Sequence, residues 1–300
     1  MRKAEILDGK KIAARMRDEI RQETLHLARL GTVPGLAVVL VGEDPASVSY
    51  VTGKEKACAE AGMLSLDNRL PESTTEEELL RLVADLNRDD RVHGILVQLP
   101  LPKHIDEGRV LLAVDPEKDV DGYHPVNLGR LLLGREAYYP CTPHGILKIF
   151  EHCGIETAGR HVVIVGRSAT VGKPLANLLL AKGREGDATV TVCHSRTPDL
   201  AAHTRQADIL IAAVGKTGLI TPGMVKDGAV VIDVGITRVP DPSKKSGFRL
   251  QGDVDFDGRL SVASKITPVP GGVGPMTITM LLYNTLKAAR KRAAETEEKG

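Results

Sequence analysis

The run His161-Val-Val-Ile-Val-Gly166-Arg167-Ser168-Ala-Thr-Val171-Gly172-Lys173-Pro174 carries an apolar strand into a glycine turn and out into a helix. A turn of this kind aims backbone N–H groups and the positive end of a helix dipole at one spot, where a phosphate can sit. The spacing departs from the usual G-x-G-x-x-G, so the strand–turn–helix setting carries the reading rather than the glycines alone. Gly166, Arg167, Ser168 and Gly172 are accordingly expected to hold a dinucleotide. The competing reading is a turn between packed elements with no ligand.

The next apolar strand, Thr189 to Cys193, is followed by His194, Ser195 and Arg196. Folds that bind NAD place an acidic residue near this point to hold the ribose 2′-hydroxyl. None is present. A hydroxyl and a guanidinium suit a 2′-phosphate instead, and Arg167 adds a second positive charge, so NADP is expected over NAD. Ala212-Ala-Val-Gly215 and Asp233-Val-Gly-Ile236 follow two further strands, and small residues there let a dinucleotide approach the strand ends. Gly215 and Ile236 join the expected cofactor residues, whereas His194 reads as a structural turn residue.

The same alternation extends upstream. Asp8 caps a helical pattern through Ile12, Met16, Ile20 and Leu27 that stops near Gly31, and Leu36 to Val41 is a continuous apolar run typical of a parallel sheet. Helices are expected at Ala46–Ala61 and Thr75–Asn87, the latter with a Thr75/Glu78 capping box, and strands at Leu64–Leu70 and Gly94–Leu99. Turn-rich sequence follows from Pro100 to Pro143, with a short helix near Val126–Leu133. Further helices are expected at Val171–Lys182, Pro198–Gln206 and Thr277–Ala294, with strands at Ile209–Val214 and Ala229–Val234. The charged end from Lys287 to Gly300 is expected to fray. Arg238–Leu250 reads as a long polar surface loop. The fold class is α/β, with two α/β domains and a cleft between them, the second a Rossmann-like doubly wound parallel sheet. The domains are placed at 1–142 and 143–276, with helix 277–296 packing back on the first.

With 300 residues and 42% apolar content, two cores of this kind can be filled. Forty basic against 39 acidic side chains give a net charge of +1, and three Phe, five Tyr and no Trp offer few stacking surfaces; no nucleic-acid partner is expected. No apolar run approaches the roughly 18 residues that span a bilayer, and no secretory or transit segment is visible, so a cytoplasmic protein without a membrane partner is expected. Cys58, Cys141, Cys153 and Cys193 are scattered without a CxxC or Cys/His cluster, which argues for free thiols and no metal. Cys141 is expected to be packed and inert.

Tyr50 and Lys54 stand four apart on one helix face, with Lys56 turned elsewhere. Gln98 ends an apolar strand ahead of a proline turn, and Asp119 and Asp121 lie in a loop; a divalent cation on those two acids is the weaker reading. Five segments together resemble the methylenetetrahydrofolate dehydrogenase/cyclohydrolase family. They are Ser49-Tyr-Val-Thr-Gly-Lys54-Glu-Lys56, Val97-Gln-Leu-Pro-Leu-Pro102, Lys118-Asp-Val-Asp-Gly122, Val165-Gly-Arg-Ser168 and Thr267-Pro-Val-Pro-Gly-Gly-Val-Gly-Pro-Met-Thr277, and they cover nearly the whole chain in family order.

The resemblance implies oxidation of 5,10-methylenetetrahydrofolate by NADP and hydrolysis of the methenyl product to 10-formyltetrahydrofolate. It implies that Lys54 is central to the hydrolytic step, that Tyr50 positions the folate rings, that Gln98 hydrogen-bonds Lys54 and that Asp121 anchors the pterin. Pro270, Gly271 and Gly272 would line the substrate site, and Thr277 would touch the cofactor. A homodimer is implied too. Beside a methenyl cation, desolvation and charge repulsion favour a neutral Lys54 amine, the form that can take water's proton. A monofunctional dehydrogenase, a non-catalytic nucleotide-binding protein and a dehydrogenase for another small substrate stay open at this point.

Overall fold

The computed structural model describes residues 4–244, 247–255 and 262–297. In chain order the elements begin with β1 (Glu5–Ile6), α1 (Gly9–Arg29), β2 (Gly35–Val41), α2 (Pro45–Glu60), β3 (Leu64–Leu70), α3 (Glu76–Arg88), β4 (Gly94–Val97), α4 (Glu107–Ala113) and α5 (Pro125–Leu132). They continue with α6 (Cys141–His152), β5 (His161–Val165), α7 (Gly172–Leu180), β6 (Thr189–Cys193), α8 (Leu200–Thr204), β7 (Ile209–Ala212), β8 (Val230–Asp233), β9 (Thr237–Pro240), β10 (Phe248–Gln251), β11 (Lys265–Ile266) and α9 (Val273–Glu297). Two compact units result: a first, of Ala14–Cys141 and Ile278–Gly300, and a second, of Met1–Ala13 and Thr142–Thr277.

In the first unit a three-stranded parallel sheet has the order β3-β2-β4, with Leu36 opposite both Ser65 and Gly94. All seven residues of β2 are buried, as expected of a central strand covered on both faces. Ala37, Val39, Ile95 and Val97 pack with Leu79, Val83 and Leu86 of α3 and Val110 of α4. Thr75 and Glu78 form the expected capping box at the start of α3, each side chain accepting the other residue's backbone N–H. Helix α4, within the stretch read as turns, is capped by Asp106, whose carboxylate accepts from the amides of Gly108 and Arg109.

The expectation of fraying after Lys287 is corrected. Helix α9 is continuous to Glu297, and residues 298–300 lie outside the described residues. Four ion pairs tether its charged end: Lys287 to Glu136 at 3.1 Å, Arg290 to Glu23, Lys291 to Glu117 at 2.5 Å and Arg292 to Asp90 at 2.5 Å. Each partner comes from a distant part of the sequence, so no local pattern announces them.

In the second unit six parallel strands are ordered β1-β11-β8-β7-β5-β6. From β5 the chain goes to β6 on one side and then returns to β7 on the other, so the winding reverses at β5. In such a sheet the ligand crevice lies at that reversal, outside the carboxyl ends of the strands. Val163, Val165, Leu210, Ala212 and Val231 form its core.

Glu5 and Ile6 pair with Lys265 and Ile266, extending the second unit's sheet. Two expectations are corrected in this unit. The polar stretch Arg238–Leu250 is largely a hairpin: β9 pairs antiparallel with β10, and the Arg238 guanidinium lies 4.6 Å from the Phe248 ring centre. Residues 245–246 of that stretch lie outside the described residues. Finally, helix α6 begins at Cys141 within sequence read as turns, because Pro143 falls in its first turn, where a missing N–H costs nothing.

Candidate functional site

In the first unit Lys54, Gln98 and Asp121 come together near the carboxyl end of β4. Helix α2 starts at Asp44, whose side chain accepts from Ser47 N, and its third turn presents Lys54. Lys54 Nζ donates to Gln98 Oε1 at 3.0 Å. The Gln98 amide is oriented by its own nitrogen, which donates to Leu99 O at 2.6 Å and leaves the oxygen for the lysine. Tyr50, one turn earlier on α2, is 44% exposed. Lys56 is exposed and pairs with Glu60 at 3.8 Å, as its different helix face requires.

Asp121 is half-buried. Burial pushes its carboxyl above the ordinary range, while the Lys54 charge and the Cys141 thiol pull it back down. Burial in turn pushes the Cys141 thiol well up, with Asp121 adding to the shift, and the cysteine is packed as the sequence led one to expect. The Tyr123 hydroxyl is driven up likewise, by burial and then by Asp121.

Asp119 plays a different part from Asp121. Its Oδ1 accepts from Gly122 N and Tyr123 N, both at 3.2 Å, and its Oδ2 from His124 N at 2.8 Å and Asn127 Nδ2 at 2.9 Å. Four donors consume both oxygens, so Asp119 shapes the loop that carries Asp121. Among the described residues no group of three or more His, Cys, Asp or Glu is placed to hold a metal ion.

The sequence reading missed Asn284. It is buried on α9, and its Nδ2 donates to Val120 O at 2.8 Å and Tyr139 O at 3.1 Å, with Cys141 Sγ at 3.8 Å. One side chain thereby ties down the backbone on the N-terminal side of Asp121 and the segment leading to Cys141. Its only sequence signal was a polar residue in the apolar stripe of a long helix.

In the second unit, Gly166 leaves β5 at φ +132°, and a Cβ there would sit 2.1 Å from Ala213 O. A Cβ on Gly172 would meet Gly166 O at 2.2 Å. Glycine is therefore required at both places by close backbone approach. One expectation changes: the first amides of α7 are not open to a phosphate. Ser168 Oγ accepts from Val171 N at 3.0 Å and Gly172 N at 3.4 Å, and Ser168 O accepts from Lys173 N at 3.0 Å. Arg167 and Ser168 are exposed, and the serine proton remains available to donate.

Ser195 and Arg196 are exposed on a turn built by His194. His194 N donates to Thr197 Oγ1 at 2.9 Å, Thr197 N to His194 O at 2.9 Å and Arg196 N to His194 Nδ1 at 3.2 Å. The structural part expected of His194 is the one it plays. Arg167 and Ser168 after β5 and Ser195 and Arg196 after β6 form a donor set that suits a phosphorylated ribose.

The remaining expected residues also lie in this unit. Gly271 O accepts from Lys10 N at 3.0 Å, and a Cβ on Gly9 would be 1.8 Å from Gly272 O, so the loop after β11 lies against the start of α1. Gly9 is a second residue that the sequence reading missed. Pro270 is exposed, following a cis Val269–Pro270 bond. Ile236 is 36% exposed, with its Cδ1 3.2 Å from where Gly274 would carry a Cβ. Thr277 and Thr142 share a hydroxyl–hydroxyl hydrogen bond of 2.9 Å.

Residues 7–121 match the model of the tetrahydrofolate dehydrogenase/cyclohydrolase catalytic domain, and residues 140–293 match that of the same family's NAD(P)-binding domain. The chain belongs to the tetrahydrofolate dehydrogenase/cyclohydrolase family. It is 58% identical over 292 residues to the bifunctional protein FolD of Geobacillus thermodenitrificans, covering 97% of this chain and 99% of that one. It is 49% identical to the FolD methylenetetrahydrofolate dehydrogenase/cyclohydrolase of Campylobacter jejuni, whose crystal structure matches with a TM-score of 0.90 over 96% of this chain and 99% of that one. The corresponding Trypanosoma brucei enzyme, solved with NADP and an inhibitor, matches with a TM-score of 0.92 at 43% identity over 97% and 99% of the two chains. As a member of the dehydrogenase/cyclohydrolase family, this chain places a Lys54–Gln98 pair in its catalytic-domain match and the Gly166–Gly172 turn in its NAD(P)-binding match.

Proposed function

We infer that this chain oxidises 5,10-methylenetetrahydrofolate with NADP and hydrolyses the resulting 5,10-methenyl cation to 10-formyltetrahydrofolate. The observation that carries the reading is the 3.0 Å bond from Lys54 to Gln98, made beside Asp121 in a chain of this family. NADP, when bound, supplies the hydride acceptor. The chain's own contribution to that step is orientation, which positioned reactants convert into rate.

The residues divide the work as follows. Asp121 anchors the polar edge of the pterin, and Tyr50 packs its ring on the folate. Lys54 takes a proton from the water that adds to the methenyl carbon. The bond from that carbon to N5 then breaks, one of the water's protons ends on N5 and the other leaves to solvent. Gln98 is a positioning residue that holds the amine on the reacting side. Arg167, Ser168, Ser195 and Arg196 hold the cofactor's phosphates, and Gly166, Gly172, Gly215, Ile236 and Thr277 give it close backbone approach. Pro270, Gly271 and Gly272 contact the folate. General-base help of this kind contributes about a hundred- to ten-thousand-fold.

The same reading takes the chain to be a cytoplasmic homodimer. Support comes from four free cysteines, which suit a reducing compartment, and from β6, an edge strand that leaves Val192 and neighbouring Leu180 exposed. Among the described residues no helix is long and apolar enough to cross a membrane.

The deciding assay follows NADP reduction with methylenetetrahydrofolate while monitoring the methenyl absorbance. NADPH should appear with little methenyl accumulation, and supplied methenyltetrahydrofolate should decay faster with enzyme than without. Absence of NADP reduction would sink the reading, and accumulation of methenyl product without accelerated decay would sink its hydrolytic half.

A further inference from the structure

Two carboxylates outside these roles are buried at the carboxyl ends of the second unit's strands. Asp233 is 3% exposed and Asp253 is fully buried. Asp253 Oδ2 accepts from Val214 N at 2.7 Å and Gly215 N at 3.0 Å. Asp233 sets Asp253 in place: its Oδ1 accepts from Asp253 N at 2.9 Å and Gly235 N at 3.0 Å, and its Oδ2 from Val254 N at 3.0 Å. Even the glycines beside the pair are dictated by it, since a Cβ on Gly252 would lie 1.9 Å from Asp233 Oδ2.

A pair of buried carboxylates is a costly way to fasten a loop. Asp253 Oδ1 lacks any hydrogen-bond partner among the described residues. Neutral side chains would fill the space at less expense if stability were all that mattered. What the arrangement secures is the loop after β7. Ala213 O presses on Gly166, and Val214 and Gly215 stand exposed with both amides turned inward to Asp253. Gly215 therefore offers a ligand its carbonyl and its bare Cα, not its N–H.

We propose that Asp253 is a positioning residue of the dinucleotide site, holding the Val214–Gly215 wall in its ligand-ready form before NADP arrives. Ordering that loop in advance removes an entropic cost from binding. The proposal rests on reading the Gly166–Gly172 turn as the NADP site, and it goes further by naming what shapes it.

Hydrogen exchange on the wild-type chain tests the pre-formed wall directly. The Val214 and Gly215 amides should be protected without NADP to the same degree as with it; free exchange until NADP is added would overturn the proposal. In Asp253→Ala, the NADP Kd and KM should rise roughly tenfold or more, as expected for two lost charge-assisted bonds. Hydrolysis of supplied methenyltetrahydrofolate, a step that uses no NADP, should fall less than about threefold. Asp253→Asn keeps one acceptor oxygen for the two amides and should recover most of the affinity. Wild-type NADP affinity in a folded Asp253→Ala chain would overturn the proposal. Should that variant not fold, the exchange result decides. A wild-type chain that fails to bind NADP counts against the site itself, which separates the two readings.

Discussion

Lys54 Nζ and Gln98 Oε1 lie 3.0 Å apart, joining the third turn of α2 to the end of β4. The amide can point only one way, because its nitrogen is already spent on Leu99 O. Lys54→Ala should therefore lose methenyl hydrolysis by about a hundred- to ten-thousand-fold, the range for a lost general base. Gln98→Ala should retain the amine but lose its aim, lowering hydrolysis roughly tenfold to a hundredfold, as for one bond to a charged group. Spectroscopic decay of methenyltetrahydrofolate reads both, and near-normal decay in Lys54→Ala would remove the lysine from the mechanism.

Asp121 sits where its charge meets Lys54 on one side and Cys141 on the other. Asp121→Ala should raise the folate KM in both activities by roughly tenfold or more, while the NADP Kd stays put. Equal folate affinity in wild type and variant would contradict its anchoring part.

Arg196 stands exposed on the turn that His194 builds. Arg196→Ala should weaken NADP binding roughly tenfold while leaving the much weaker binding of NAD nearly as it was. Parallel losses for both dinucleotides would mean that the guanidinium does not read the 2′-phosphate.

Asn284 fastens Val120 O and Tyr139 O from inside the first unit. In Asn284→Leu both carbonyls lose this donor, at about 1–3 kcal/mol for each that stays unsatisfied. The expected result is a lower Tm together with a raised folate KM, since Asp121 follows Val120 directly. An unchanged melting curve would show that the loop holds itself.

Burial pushes Asp119 up to about 6 and Asp233 up to about 6. Between the ordinary carboxylate range and pH 6 the folded chain then binds more protons than the unfolded one, so these groups make stability fall as pH rises through that window. Asp89 is held down at about 2 by Arg91 and acts in the opposite sense, with its stability lost as pH falls below about 4. Thermal unfolding between pH 4 and 6 should show a shallower fall for Asp119→Asn than for wild type. An identical slope would show that Asp119 does not titrate there.

What the sequence made legible follows from local rules. β2, β3 and β5 declare themselves as apolar or alternating runs, and β3 and β5 fall where the pattern put them. The Thr75 capping box and the Gly166 turn are short-range signatures whose physics is complete within a few residues. Lys54 and Gln98 were each visible, but their bond spans 44 positions and came from the family resemblance, not from spacing. Asn284, Asp253 and Asp119 act through buried bonds to backbone atoms, and nothing in their neighbours' identities encodes such a partner. β1 and β11 are two residues each, too short for any periodicity, and exist because parallel strands extend an edge already formed. Helix α6 was hidden by its prolines, which mark a helix start as readily as a turn.

The pairing of Glu5–Ile6 with Lys265–Ile266 has a consequence for biosynthesis. A ribosome releases the opening strand of the six-stranded sheet long before its neighbour is translated, so the nascent chain carries that strand unsatisfied through most of elongation. Slow, non-local closure of this sort exposes an edge to stray pairing. Cutting the gene at the Cys141–Thr142 boundary would give two fragments that each lack a piece of their own unit, and neither half should fold cleanly by itself.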